Sequence, residues 1–272
     1  LKPNKQSLPF AELALSIGAG LLLMLTSLIG VLAPDQAYPT PEQRASLVPN
    51  DIVNLLLGLP FLAAIIWQAR RGRLWARLCW PGALLYIVYN SLVAVINLFP
   101  AFLSLAHLVQ LTLCAAVLWF MGSRLDWAVM RSTAPAGKWE MPAGGVLSGM
   151  GALFLVRAVA LIFSAPDAAY FKSVDFAVTL TDLVFSPLWI FLGIALLRGK
   201  VYGYVGAAAC LSQLIALFVG LMLVMHIQPL LNGAALAIGD FLVILIMSLV
   251  VIIPAVLFIG SLENQLPAGI YK

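Results

Sequence analysis

The residues best able to do chemistry stand where the chain is least able to solvate them. Arg157 lies in "GALFLVRAVALIF", residues 151 to 163, and Asp182 lies inside the next apolar run. An unpaired charge in hydrocarbon costs several kcal/mol, which an opposite charge and hydrogen bonds offset. If the two runs cross a membrane in opposite directions, both residues fall at nearly the same depth, ~12 Å below one surface at 1.5 Å per residue. A short connection joins the runs, so guanidinium and carboxylate can pair. The pair has two readings: a pin between two helices, or an anion site in which Asp182 keeps Arg157 charged and oriented.

Other polar residues extend the second reading. Asp175, Thr179, Asp182 and Ser186 recur at i, i+4, i+7 and i+11, a stripe on one helix face that should turn to the bundle interior or a water-filled cavity. Asp51, Asn54, Asn97, Ser104, His107 and Asp240 fall toward the same end of their runs, with His226, Gln228 and Asn232 in a loop there. The expectation is a polar vestibule whose ligand-binding set is Arg157, Asp182, Asp240, His107, Thr179, Asp175 and Asn97. Each also has a structural reading. Asp51 and Asp175 are acids of the kind helix starts prefer. Asn97 and Ser104 can satisfy backbone groups around "NLFPAF". His107 can be a hydrogen-bonded core histidine, and Asp240 can replace Asp182 as the partner of Arg157. The other half of the bundle is expected to be apolar apart from Glu12, Tyr86 and Asn90.

The elements that hold these residues follow from composition. The chain has 272 residues, 63% hydrophobic and 10% charged, with a mean hydropathy of +1.05. Such a chain is polytopic and all-α, because hydrocarbon demands that backbone groups bond within a helix. Eight spans are expected, at 9–33, 51–69, 79–99, 101–122, 144–165, 174–197, 201–225 and 233–260, in a single transmembrane domain over 1–272. The first run superficially resembles a signal peptide, but its length and Pro34 favour a span. Placing the N-terminus in the cytoplasm puts Lys2, Lys5, Arg70, Arg71, Arg73, Arg77, Arg124, Arg131, Lys138, Arg198, Lys200 and Lys272 inside. Arg44 and Lys172 fall outside, so both termini are expected to be cytoplasmic. Trp67, Trp75, Trp80, Trp119, Trp127 and Trp139 gather at the same predicted interface.

"PFLAAIIWQARRGR" (60–73) and "PLWIFLGIALLRGK" (187–200) share an in-span proline and an Arg-Gly-basic ending at identical spacing. They suggest parallel halves, 1–125 and 140–265, although many spans end in such a turn. "GGVLSGMGA" (144–152) places Gly145 and Gly149 at close-packing spacing.

Several function classes find no support. The basic residues lie between spans instead of forming a patch with exposed aromatics, so nucleic acid is not an expected partner. No lysine lies within a span to form a retinal Schiff base, and no nucleotide-binding, hydrolase or zinc motif is present. No cofactor is evident. His107 and His226 could bracket a haem, but both are satisfied more cheaply. Cys79, Cys114 and Cys210 are scattered, with no metal or disulfide spacing.

The stretches 50–90 and "VTLTDLVFSPLWIFLGIALLRGKVYGYVGA" (178–207) resemble a family of uncharacterised bacterial polytopic membrane proteins. The features are Asp51, Gly58, Pro60, Arg70, Arg71 and Gly72, then Tyr86, Tyr89 and Asn90, with Asp182, Pro187, Gly203 and Tyr204 in the second stretch. The third span departs after Asn90, at "SLVAVI". The resemblance covers about a third of the chain and implies the bacterial inner membrane, with no activity to transfer.

The leading expectation is an extracytoplasmic vestibule that binds or transports a small polar or anionic-headed ligand, with membrane lipids as neighbours. The alternatives are an accessory subunit contacting other membrane subunits, lipids or pigments, and a membrane enzyme pairing His107 with Asp240 or Asp182.

Overall fold

Each apolar run closes its hydrogen bonds within a helix, as a solvent without donors or acceptors requires. The computed structural model describes residues 9–97, 100–126, 137–165 and 168–265. Among them, eight helices are long and apolar enough to cross a membrane. They are α1 (Phe10–Leu32), α2 (Pro41–Arg70), α3 (Leu74–Ile96), α4 (Ala101–Ser123), α5 (Glu140–Phe163), α6 (Val174–Leu197), α7 (Val201–Asn232) and α8 (Ile238–Gln265). No strand occurs among the described residues. Lys2, Lys5, Arg131, Lys272 and Trp127 lie outside them.

Several boundaries differ from expectation, most of all the start of α2 and the end of α7. α2 begins at Pro41 instead of 51, because "TPEQ" starts a helix: Gln43 N donates to Thr40 Oγ1 at 3.2 Å and Thr40 N donates to Gln43 Oε1 at 3.3 Å. This reciprocal cap, with Pro41 in the first turn, satisfies donors that a helix start leaves open. α7 continues through Pro229 to Asn232, and α8 starts at Ile238. At 1.5 Å per residue α2 and α7 are each over ~40 Å long, more than ~30 Å of hydrocarbon needs.

α1 packs on α2 and α4, and α3 packs on the same two helices; α5 packs on α6 and α8, and α7 packs on those two. The groups meet where α3 lies on α7, flanked by α2 on α7 and α3 on α6. Trp80 and Trp189 are fully buried in this core. Their indole N–H groups donate to Ser16 Oγ at 3.1 Å and to Gln213 Oε1 at 3.2 Å. Trp80 is therefore a core residue and not an interface tryptophan, whereas Trp67 and Trp119 are exposed.

Arg70, Arg71, Arg73, Arg77, Arg124, Lys138, Arg198 and Lys200 lie at or beyond helix termini that share one end of the bundle, here the basic end. There Arg124 Nε, just past α4, lies 3.3 Å from Glu12 Oε1 in the first turn of α1. The turns from α2 to α3 and from α6 to α7 close identically. Gly72 N donates to Ala69 O and Arg73 N to Gln68 O; Gly199 N donates to Leu196 O and Lys200 N to Ala195 O. Both glycines take positive φ, 81° and 62°, which a side chain would strain.

The closest approach of α5 to α6 uses a different face from the expected one. A Cβ on Gly193 would stand 2.6 Å from Ser148 N and 2.9 Å from Gly144 O, while Gly145 and Gly149 face open space. The small-residue contact runs through Gly144, Ser148 and Gly151, one residue away from the Gly145 and Gly149 spacing.

Candidate functional site

The α5–α6 hairpin positions the pair that the sequence singled out. Arg157 Nη1 lies 3.1 Å from Asp182 Oδ2. A third helix completes the carboxylate: Tyr89 of α3 donates its hydroxyl to Asp182 Oδ1 at 2.7 Å. Phe185 packs against Tyr89 and Trp189, with ring centroids 5.5 Å and 6.0 Å apart, and walls the site toward the core. One turn along α6, Thr179 is buried, bonded to Tyr170 Oη at 2.9 Å and donating to Asp175 O at 2.8 Å.

The two partners occupy different surroundings. The Asp182 side chain is 2% exposed and the Arg157 side chain 51%. The carboxylate is enclosed with both oxygens bonded. The guanidinium carries five N–H donors and spends one on Asp182, while half of its side chain faces outward. Chemically this is a cation held by a buried anion, with a planar fork of donors left for an oxyanion.

The remaining expected residues do not join it. Asp240 is exposed in the first turn of α8, which starts later than expected, and makes no ion pair with Arg157. Asp175 is exposed in the first turn of α6, beside the Ser173 cap. Thr179, Asp182 and Ser186 are buried, so the expected stripe holds only from its second member onward. Asn97 follows α3 and donates to Val93 O at 2.9 Å. His107 Nδ1 lies 3.2 Å from Gln110 Oε1, and Gln110 also accepts from Ser91 and donates to Ala19 O at 3.1 Å. That network ties α1, α3 and α4, whereas the Asp182 site ties α3, α5 and α6. His226 lies in the body of α7, its ring edge-on to Phe241.

A second polar cluster replaces the capping role expected of Asp51. Ten residues inside α2, Asp51 is buried and accepts a hydrogen bond from the Tyr38 hydroxyl. Gly30 of α1 leaves the room: a Cβ there would occupy the place of the carboxylate. Burial, and then the adjacent carboxylate, push the Tyr38 phenol well above its ordinary range. Tyr86 of α3 donates to Asn54 Oδ1 at 2.9 Å, and Asn50 donates to Asn90 Oδ1 at 3.0 Å. Beside them α2 widens into a π turn, Asn54–Gly58, two residues before Pro60, which has no N–H to continue the regular ladder.

Tyr86 and Asn90 thus belong with this polar cluster and not to the apolar half. Their helix faces both clusters, with Tyr89 on Asp182 and Tyr86 and Asn90 on α2. The four-residue spacing of Tyr86 and Asn90 puts those two on one face, but Tyr89, only three residues from Tyr86, reaches α6, which the spacing alone did not indicate. Nearer the basic end, a cleft of about 350 Å³ between α2, α3, α7 and α8 is apolar, lined by Phe61, Ile65, Trp75, Ile215 and Ile259. Among the described residues no three His, Cys, Asp or Glu side chains are grouped to hold a metal ion.

Eight apolar helices, all-helical and packed around buried polar groups, are the architecture of a multi-pass integral membrane protein. The chain matches no family model, no curated protein and no solved structure. The family resemblance therefore rests on the quoted residues alone.

Proposed function

We propose that this membrane protein binds a small anionic-headed ligand at Arg157, as a transporter or a receptor-like binding protein would. The observation that carries the reading is the asymmetry of the ion pair. A structural pin would enclose both partners, yet here the carboxylate is enclosed and half of the guanidinium side chain is left outward. Asp182, held by Tyr89, fixes the position and charge of a cation whose remaining donors can receive a carboxylate or phosphate oxygen. The basic end is cytoplasmic by the charge asymmetry of the loops, so the site opens on the extracytoplasmic side of a bacterial inner membrane.

The two sets α1–α4 and α5–α8 are proposed as parallel halves of an internal repeat. Their matching packing order and the identical closure of the two glycine turns support this. The ligand site then lies beside the seam, since Tyr89 from the first half completes Asp182 of the second.

The test is thermal unfolding of the purified protein in neutral detergent, with and without phosphate, sulfate and short-chain carboxylates. Wild type should be stabilised by at least one of them and Arg157→Ala by none. Arg157→Leu/Asp182→Leu should still fold, because removing both partners leaves no uncompensated charge in the enclosed site, with only the loss of the Tyr89 hydrogen bond to bear. An undiminished anion shift in Arg157→Ala would overturn the assignment. A double variant that cannot fold would make the pair structural.

A further inference from the structure

We infer that the anion at Arg157 arrives from the bilayer and not from water: the site takes the phosphate of an anionic phospholipid in the leaflet at the end opposite the basic one. The inference rests on the reading of Arg157 as an anion site and names its ligand class.

α5 is the least enclosed of the eight spans, with 22% of its most apolar stretch buried. Along the exposed side of Arg157, Leu153 precedes it by one turn and Val156 is its neighbour, and both are exposed apolar residues. The outward face of the guanidinium is therefore continuous with hydrocarbon-facing surface. On the other side Asp182, Tyr89 and Phe185 close the way to the core.

Depth leaves the site within reach of a headgroup drawn inward. Arg157 stands six residues before the end of α5, ~9 Å along the axis, and its guanidinium is held there by Asp182, so the lipid phosphate comes to it less than two turns below the end of the helix. Tyr170, Phe171 and Phe176 stack edge to face at the α5–α6 connection, where an aromatic belt marks the headgroup level. Arg44, another cation of this end, is engaged with Asp35 at 2.8 Å, while Lys172 is exposed in the same connection as the aromatic group. A phosphodiester offers two coplanar oxygens to the guanidinium fork, and its acyl chains would lie along Leu153 and Val156.

The experiment is lipid titration of delipidated protein in neutral detergent, read by native mass spectrometry for bound lipid and by thermal shift. The probes are phosphatidylglycerol, phosphatidylcholine and inorganic phosphate. Phosphatidylglycerol should be retained over phosphatidylcholine by roughly fivefold or more, the worth of one basic side chain near a charged interface. Arg157→Ala should remove that preference. Arg157→Lys, which keeps the cation and the bond to Asp182, should fold and keep a reduced preference. Leu153→Trp, which crowds the lateral approach without touching the ion pair, should lower phosphatidylglycerol retention and leave any phosphate shift unchanged. Stabilisation by inorganic phosphate without preference for the anionic lipid would overturn the lipid assignment and leave the anion site standing. Lipid preference unchanged in Arg157→Ala, or no Arg157-dependent response to any probe, would overturn this inference; the latter would also remove the anion site itself.

Discussion

Arg157 and Asp182 form one ion pair in two different surroundings, and their removal should not be equivalent. Arg157→Ala leaves an enclosed carboxylate without its cation, an uncompensated charge expected to destabilise by about 3 kcal/mol. Asp182→Asn leaves a half-exposed guanidinium free to turn toward headgroups and keeps a group that Tyr89 can reach, so the loss should stay near ~1 kcal/mol. Denaturant unfolding of both variants in one detergent checks this, and equal losses would mark a symmetric pin. The pair was legible in the sequence because a short connection brings equal depths together. Asp51 was not. Its neighbours Asn50 and Pro49 look like a helix start, and only the body of α2 reaching back to Pro41 shows the carboxylate packed against Gly30 and Tyr38.

At the scale of elements, the α5–α6 contact shows what periodicity leaves open. Gly144 and Ser148, like Gly145 and Gly149, are four apart, and the two faces differ by ~100° of rotation about the helix. Spacing alone cannot say which face meets α6. Gly193→Ala should destabilise the hairpin by about 1–3 kcal/mol through overpacking against Ser148 N. Gly149→Ala meets nothing and should be neutral or stabilising, since alanine favours helix. Thermal unfolding of the two single variants decides it, and the reverse order would place the contact on the Gly145 and Gly149 face. The start of α2, in contrast, was written in the chain. Thr40 and Gln43 carry the reciprocal-cap spacing, masked by the prolines and polar residues that made residues 34–43 look like an extended break.

At the scale of the whole molecule, the basic termini collect at one end and the buried carboxylates Asp51 and Asp182 lie toward the other. If the basic end is cytoplasmic, Lys172→Cys in a chain whose native cysteines are replaced should react with a membrane-impermeant maleimide on intact cells. Lys200→Cys should react only after permeabilisation, and the opposite pattern would invert the proposed orientation. Composition determined that the protein is a helical bundle and approximately where its eight spans run, because hydrocarbon forces every span to bond to itself; it did not fix the depths of Asp51, Tyr86, Asn90 and Asp240. Only the tertiary structure decided which helices are neighbours and how each is rotated. It alone joined Tyr89 to Asp182, kept His107 with Gln110, and left Arg157 turned half outward, because side-chain packing between helices is set by contacts distant in the chain.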